Sequence, residues 1–539
     1  MEGEKMERLT LFNVNGEIGE GAYEQADFPD LNSLVRHLDY LGVERSLVCH
    51  VAAIDINPAY GNLKLMKEME NFPQKERFFP CWVITPGCFF EKDTLSLLHR
   101  YLASGQVRAL RIVPSVSRFP VRQLERLLLQ LVSYKPVVFW DCCHGHDELA
   151  FRDFEYLAGR FPELSFVVTQ KMWGGFSSVL DLLWRCPNTY VDTSWLHMNE
   201  GIELLVEEFG AQRVLFGLGY KSHYGAAIAA LVFACISEGQ KQQIAHENVE
   251  NLLGIPPAKK IRCGSSALLE TKPLWRKFCS GLGISGVEVI DAHAHTPPFT
   301  RGWIQRQSDI RTGLQKMIAK MDRLGVSRLL VTPEMALFGD CLSGNREGQT
   351  MMQEFSDRFS GYLVFHPLYS DRLINHLDTF FKSKFFVGFK ILPSYWGVPV
   401  SDRRYLPLWE YAQRFCRPIL IHTWDDVDQL KDIVPRYGDV SFLLGHSGGG
   451  TKGRQQAEEL ALSFPNVYLE FCGSFCTRRP FETSLRLVGA DRLVYGSDAA
   501  AHEMAWELGR YLSLPLPDDN LLPGLAANIK RILSRIQPV

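Results

Sequence analysis

VEVIDAHAHTPP, residues 287–298, is the stretch from which this chain is best read. Four apolar or strand-forming positions, Val287 to Ile290, lead into two histidines two residues apart, His293 and His295. In an extended strand alternate side chains share a face, and the backbone rises roughly 3.3 Å per residue, so both imidazoles can point at one centre. Two converging imidazoles are half of a zinc-type site. The reading therefore depends on whether further ligands stand at later strand ends.

Downstream, short β-branched or apolar runs recur with helical patterns between them. The runs are VEVID, SRLLVTP, GYLVFHP, FFVGFKI, PILIHT, SFLLGHS, VYLEFC and RLVYGSD. LQKMIAKMDRLG, LPLWEYAQRFC and TSLRLVGA have the spacing of amphipathic helices. Eight strands alternating with helices in one domain read as an α/β fold, a (β/α)8 barrel, with functional groups at the C-terminal strand ends.

The first half repeats the pattern. VRALRIVPSVSRFPV, from Val107, matches VGFKILPSYWGVPV, from Val387, and KPVVFWD matches RPILIHT. LSFVVTQKMWGG matches VSFLLGHSGGG, and AQRVLFGLGY matches ADRLVYGSDA. Asn248 and Asn528, near the last helix of each half, are 280 residues apart. A period this long means two whole domains rather than a solenoid. The expectation is two tandem TIM barrels, 1–256 and 286–539, with Gly281, Gly283 and Gly286 at the entry to the second and residues 257–285 as the connection.

Composition agrees with two globular domains. The chain has 539 residues, 46% hydrophobic and 22% charged, and a net charge of −3. That balance gives no electrostatic reason to expect nucleic acid or an anionic membrane as partner. The N-terminus MEGEKMERLTLF lacks a secretory h-region, and no apolar run reaches the roughly 18 residues of a membrane span. The 13 cysteines lack CxxC spacing, as expected of reduced cytosolic thiols, so a cytoplasmic location is expected.

Three more chemically apt residues end strands of the second half: His422 in PILIHT, His446 in SFLLGHS and Asp498 in RLVYGSD. Taken singly, His446 could cap the glycine-rich turn that follows it, and Asp498 could cap the helix beginning near Ala499. In combination, HAH, GFKILP, PILIHT, GHSGGG and YGSD resemble the amidohydrolase superfamily. Within it, they are most like the amidohydrolase-related group that includes aminocarboxymuconate-semialdehyde decarboxylase and related lactone hydrolases. The resemblance implies that His293, His295, His422 and Asp498 hold one divalent ion, zinc first and manganese as the alternative. It also implies that His446 contacts the bound water or the substrate. Such an ion lowers the pKa of its water from about 15.7 to roughly 7. Asp498 would then shuttle that water's proton, so Asp498 and His446 are the expected catalytic groups.

Lys390, in GFKILP, reads either as a substrate-facing cation or as one side of a structural ion pair. Arg301 and Arg306 could hold a substrate carboxylate or simply be solvated loop residues. Trp424, Trp396 and Tyr395 could line the pocket.

Laid over the second half, Asn13 and Asn15 fall where His293 and His295 stand. Trp140 falls at His422, Gln170 at His446, Gly219 at Asp498, and Arg111 at Lys390. The first barrel therefore reads as a metal-free pseudoenzyme with no carboxylate to act as base and some residual anion affinity. Members of the group commonly pair, which makes the first barrel the expected intramolecular partner of the second. His144 and His146 repeat the His-x-His spacing without other ligands. The expected activity is metal-dependent hydrolysis of a C–O or C–N bond in a small lactone, amide or carboxylated molecule. Non-oxidative decarboxylation of an unsaturated or aromatic carboxylate is the second reading, and a non-catalytic binding scaffold the third.

Overall fold

The computed structural model of the chain describes residues 8–21, 27–142, 148–171, 175–257, 266–297, 304, 306–307, 309–473 and 480–539. The chain divides into two compact units, Met1–Glu270 and Thr271–Val539. The first carries eight strands: β1 Phe12–Ile18, β2 Arg45–His50, β3 Phe78–Val83, β4 Ala109–Ile112, β5 Val137–Asp141, β6 Ser165–Thr169, β7 Thr189–Asp192 and β8 Val214–Leu215. The second carries β9 Ile290–Thr296, β10 Arg328–Pro333, β11 Phe359–Val364, β12 Phe386–Ile391, β13 Ile419–His422, β14 Phe442–Gly445, β15 Val467–Glu470 and β16 Leu493–Val494. Within each set the strands pair in sequence order.

Every paired strand is parallel, because a helical crossover returns each strand to the same edge. Each sheet closes on itself: the Val14 amide donates to the Phe216 carbonyl (3.1 Å), and the Ala292 amide to that of Tyr495 (2.9 Å). The units are thus two (β/α)8 barrels, as expected. Inside the first, Phe12, Val14, Leu47, Ala109, Val137, Phe139 and Val167 form the buried core; inside the second, Ile290, Ala292, Leu330, Tyr362, Leu420 and Leu443 do so. Strands buried on both faces explain the near-continuous apolar runs of the sequence.

The duplication extends to backbone detail. Asn248 Nδ2 donates to the carbonyls of Ala211 and Val214, both at 2.8 Å. Asn528 repeats this on Ala490 (2.8 Å) and Leu493 (2.7 Å). Each asparagine ties the last helix of its barrel to the last strand. A second pair was not anticipated: Asn62 brackets Val83 through both backbone groups, and Asn345 brackets Val364 in the same way.

The stretch expected to connect the barrels, 257–285, is a connection only in part. From Thr271 onward it belongs to the second unit. The buried Lys272 ammonium lies 3.0 Å from Asp518, whose carboxylate also accepts from the Leu274 amide, and Trp275 and Phe278 are buried. An ion pair and two aromatic rings dock this segment, which its basic, cysteine-containing composition did not announce. Among the described residues no helix is long and apolar enough to cross a membrane.

Candidate metal centre

β9 is buried along its whole length and carries a bulge: Asp291 pairs with Leu329, but Ala294 already pairs with Val331. The strand delivers both histidines to the barrel mouth, where each is fixed from behind by a carboxylate. His293 Nδ1 donates to Glu470 Oε2 at 2.7 Å, and His295 Nδ1 to Glu334 Oε2 at 2.9 Å. Those bonds set the tautomer and leave both Nε2 atoms facing Asp498. His295 Nε2 lies 2.9 Å from Asp498 Oδ1, and His293 Nε2 lies 3.7 Å from the same oxygen. One donor atom from each of the three residues lies within 4.8 Å of the other two.

Asp498 reaches the centre because its backbone is left-handed, with φ 58°, and its amide donates to the His293 carbonyl at 2.7 Å. It is therefore tied to the strand that carries the histidines and does not serve as a simple helix cap. His446 is also left-handed, with φ 64°, and its Nδ1 donates to the Cys472 carbonyl at 2.7 Å. Its ring centroid lies 5.2 Å from that of His293 and 4.7 Å from that of His422. His422 is buried at the end of β13 beside these rings, outside the group of three closest donors.

Lys390 projects from β12 into the middle of the centre. Its ammonium, nearly fully buried, donates to His293 Nε2 at 2.7 Å. It faces the mouth, the direction a substrate-facing cation requires. Trp424 is 37% exposed and Tyr395 43%, and both rings lie against His422, at 6.4 and 4.7 Å between centroids. Trp396 is set back: its indole N–H donates to Leu337 and its ring packs on His366. Arg306 is half-buried, and Arg301 lies outside the described residues, as do His144 and His146.

Burial and the neighbouring Lys390 hold His293 well below the ordinary imidazole value, and burial with His446 does the same to His422. Burial lowers His446 to about 4. For His295 burial works in the opposite direction to the outcome, because hydrogen bonds to Asp498 and Glu334 raise it to about 9. Burial alone would raise Asp498, yet His502, His293 and His295 hold it well below the usual carboxylate range. Two imidazole nitrogens, an ionised carboxylate, a neutral third imidazole nearby and a carboxylate behind each of the first two suit a divalent ion.

Several residues of this centre were not anticipated. Asp291 sits two residues before His293 on the same strand face and accepts from the amides of His293 (3.0 Å) and Ser497 (3.1 Å). It brackets the first strand against the last, and burial raises it to about 7. Glu334 and Glu470 stand at or just past strand ends, a signal available in SRLLVTPE and VYLE. His502 Nε2 faces Asp498 Oδ2 at 3.8 Å; nothing in the sequence around it points to that position.

Strand register corrects the comparison between the barrels. β1 has the bulge of β9, with Asn13 paired to Ser46 and Gly16 to Val48. Asn13 Oδ1 accepts from Leu218 and Asn15 as Asp291 Oδ1 accepts from Ser497 and His293. Asn13 is thus the counterpart of Asp291, Asn15 that of His293, and Glu17 that of His295. At β5 the counterpart of His422 is Asp141, since Asp141 pairs with Thr169 as His422 pairs with Gly445. Trp140 points the other way and packs on Phe151 and Phe154. Gln170 at His446, Arg111 at Lys390 and Gly219 at Asp498 hold.

The first barrel's mouth therefore does contain carboxylates. Arg111, buried, lies 3.6 Å from Asp141, and Asp192, the counterpart of Glu470, is capped on both oxygens by Ser194 at 2.8 Å. The Arg111 charge is taken up internally, which removes the reason to expect anion affinity there. At Gly219 a side chain would come within 2.3 Å of His223, so the space of the missing aspartate is filled. Among the described residues, the groups of three close metal-type donors lie in the second barrel alone.

The family model described as amidohydrolase matches residues 74–255 and 290–534. No curated protein matches the chain. Among solved structures, 5-carboxyvanillate decarboxylase from Sphingomonas paucimobilis is 14% identical, covering 47% of this chain and 100% of its own, with a TM-score of 0.35. A probable 2-pyrone-4,6-dicarboxylic acid hydrolase from Acinetobacter baumannii is 13% identical, covering 46% and 99%, with a TM-score of 0.34. 2,6-Dihydroxybenzoate decarboxylase from Rhizobium is 12% identical, again covering 46% and 99%, with a TM-score of 0.34.

Proposed function

The chain belongs to the amidohydrolase family, and from that premise we propose that its second barrel is a metal-dependent hydrolase. The substrate would be a small lactone, amide or carboxylated molecule, cleaved at a C–O or C–N bond. The observation that carries this reading is the convergence of His293 Nε2, His295 Nε2 and Asp498 Oδ1, with Glu470 and Glu334 behind the two imidazoles. These three residues, joined by His422, would hold one divalent ion, zinc or manganese, with the Lys390 ammonium displaced from the His293 Nε2 lone pair to which it donates. When bound, the ion acidifies water and polarises a carbonyl.

The remaining work falls to the chain's own groups. Asp498, tied to β9 through its amide, is placed to take a proton from the attacking water and return it to the leaving group. His446, held neutral by burial and pinned through Nδ1, presents Nε2 to the substrate. Trp424 and Tyr395, half in solvent, would flank a small planar substrate and exclude water. Lys390 and Arg306, with Arg301, supply the cations for a substrate carboxylate.

Non-oxidative decarboxylation is the second reading, favoured by one observation: the ammonium of Lys390 is buried in the middle of the centre. A cation there could hold a carboxylate against the site while an acid protonates the carbon that loses carbon dioxide. The first barrel is assigned no chemistry of its own and a supporting role in the same chain. A screen of lactones, amides and unsaturated or aromatic carboxylates on the full-length protein tests the proposal. Turnover lost in Asp498→Asn supports it; product that is the ring-opened acid favours hydrolysis, and carbon dioxide favours the second reading. Turnover unaffected by Asp498→Asn would remove the site from the reaction.

A further inference from the structure

The His293 ring has a second face. On its Nδ1 side, away from Asp498, three further donor groups crowd together. Cys472 Sγ lies 3.1 Å from His293 Nδ1, 3.6 Å from His446 Nδ1 and 3.0 Å from Glu470 Oε2. Glu470 Oε2 itself is 2.7 Å from His293 Nδ1. All four residues are buried, and one donor atom each from His293, His446 and Cys472 lies within 4.8 Å of the other two. A tetrahedral zinc ion, with bonds of about 2.3 Å to sulfur and about 2.0–2.1 Å to nitrogen, needs sulfur–nitrogen edges of about 3.5 Å. The two sulfur–nitrogen distances here, 3.1 and 3.6 Å, stand on either side of that value, and Glu470 must swing outward from His293 to join as a fourth donor.

We propose that His293 Nδ1, His446 Nδ1 and Cys472 Sγ, with Glu470 as a fourth donor, form a second metal site selective for thiophilic divalent ions. Zinc in excess is the physiological occupant, and cadmium its laboratory counterpart. A thiolate with two imidazoles selects such ions, whereas oxygen-loving manganese gains little from sulfur. Capture breaks the Cys472 S–H bond, forms a sulfur–metal bond and releases one proton to solvent. The His293 and His446 protons move from Nδ1 to Nε2, which gives up the bonds to Glu470 and to the Cys472 carbonyl and requires the Lys390 ammonium to leave His293 Nε2; no electron transfer is involved. The counterparts in the first barrel, Asn15, Gln170, Ser194 and Asp192, offer neither imidazole nor thiol, so the device is confined to the second barrel.

A neutral imidazole has one lone pair. An ion on His293 Nδ1 puts the proton on Nε2, where it faces Asp498, and withdraws the ring from the set formed with His295 and Asp498. Occupancy of the second site therefore switches off the first. This exclusion rests on the function proposed above; the capture itself does not.

Titration of the full-length protein with ¹¹³Cd, followed by cadmium NMR and by near-ultraviolet cadmium–thiolate absorption, tests the capture. The wild type should give a resonance in the range of one sulfur with nitrogen donors. Its absorption, relative to Cys472→Ser, should saturate at one equivalent, and His446→Asn should weaken that binding at least tenfold. Only oxygen- and nitrogen-type resonances in the wild type would overturn the proposal without any variant having to fold. So would identical absorption in wild type and Cys472→Ser. A wild type that shows no sulfur-type resonance and only a sulfur-free one, unchanged in Cys472→Ser and lost in Asp498→Asn, would overturn it while leaving the proposed function standing.

Discussion

Glu334→Gln isolates the contribution of the carboxylate behind a proposed ligand. The Glu334 side chain accepts from His295 Nδ1 at 2.9 Å in a buried setting, and the substitution keeps size and an acceptor oxygen while removing the charge. A charge-assisted hydrogen bond is roughly twice as strong as a neutral one. Loss of such a partner typically weakens metal binding about 10–100-fold, or about 1.4–2.8 kcal/mol. Fold stability of the metal-free protein should fall as well, because His295, raised to about 9 by Asp498 and Glu334, loses one of its two carboxylate partners. The assay is zinc competition against a chromophoric chelator, run beside thermal unfolding with chelator present. Zinc affinity within twofold of wild type, with unfolding unchanged, would refute the claim that Glu334 orients His295 for a metal.

Asn528→Ala should cost about 2–4 kcal/mol in the second barrel's unfolding, since two buried carbonyls lose their donor, and Asn248→Ala should do the same to the first; denaturant titration of each transition checks both. Burial raises Asp192 to about 7, so the folded first barrel binds its proton more tightly than the unfolded chain does. Its stability should fall as pH climbs from the ordinary carboxylate value through about 7, and Asp192→Asn should flatten that slope in unfolding measured from pH 4 to 8. Gly448 has φ 81°, and a Cβ there would come 2.1 Å from the Gly453 carbonyl carbon; Gly448→Ala should destabilise the second barrel by at least about 1–2 kcal/mol, read from its thermal midpoint.

The strand ends were legible because a barrel mouth places polar residues at the end of an apolar run: His422 and His446 close such runs, and His293, His295 and Asp498 come within a few residues of one. The register between the barrels was not. A two-residue slip in β1 keeps every side chain on its face, so a period taken from Asn248 and Asn528 misplaces Asn13 and Asn15 without disturbing the pattern. At β5 the proline of KPVVFWD suggests an alignment one residue off, and one residue turns Trp140 outward and Asp141 inward. Glu334 and Glu470 were visible as strand-end carboxylates, but only the fold shows which imidazole each one faces. The placement of Cys472 and His502 depends on loop geometry after β15 and β16, which no local pattern encodes.

The central claim is that the second barrel alone holds a divalent ion on His293, His295, His422 and Asp498. Metal content per chain, measured on full-length protein dialysed against metal-free buffer, tests it most directly when wild type is compared with Asp498→Asn and with Asp141→Asn of the first barrel. About one zinc or manganese per chain in wild type and Asp141→Asn, and far less in Asp498→Asn, is the predicted result. A metal-free wild type, or a metal content insensitive to Asp498→Asn, would contradict the account.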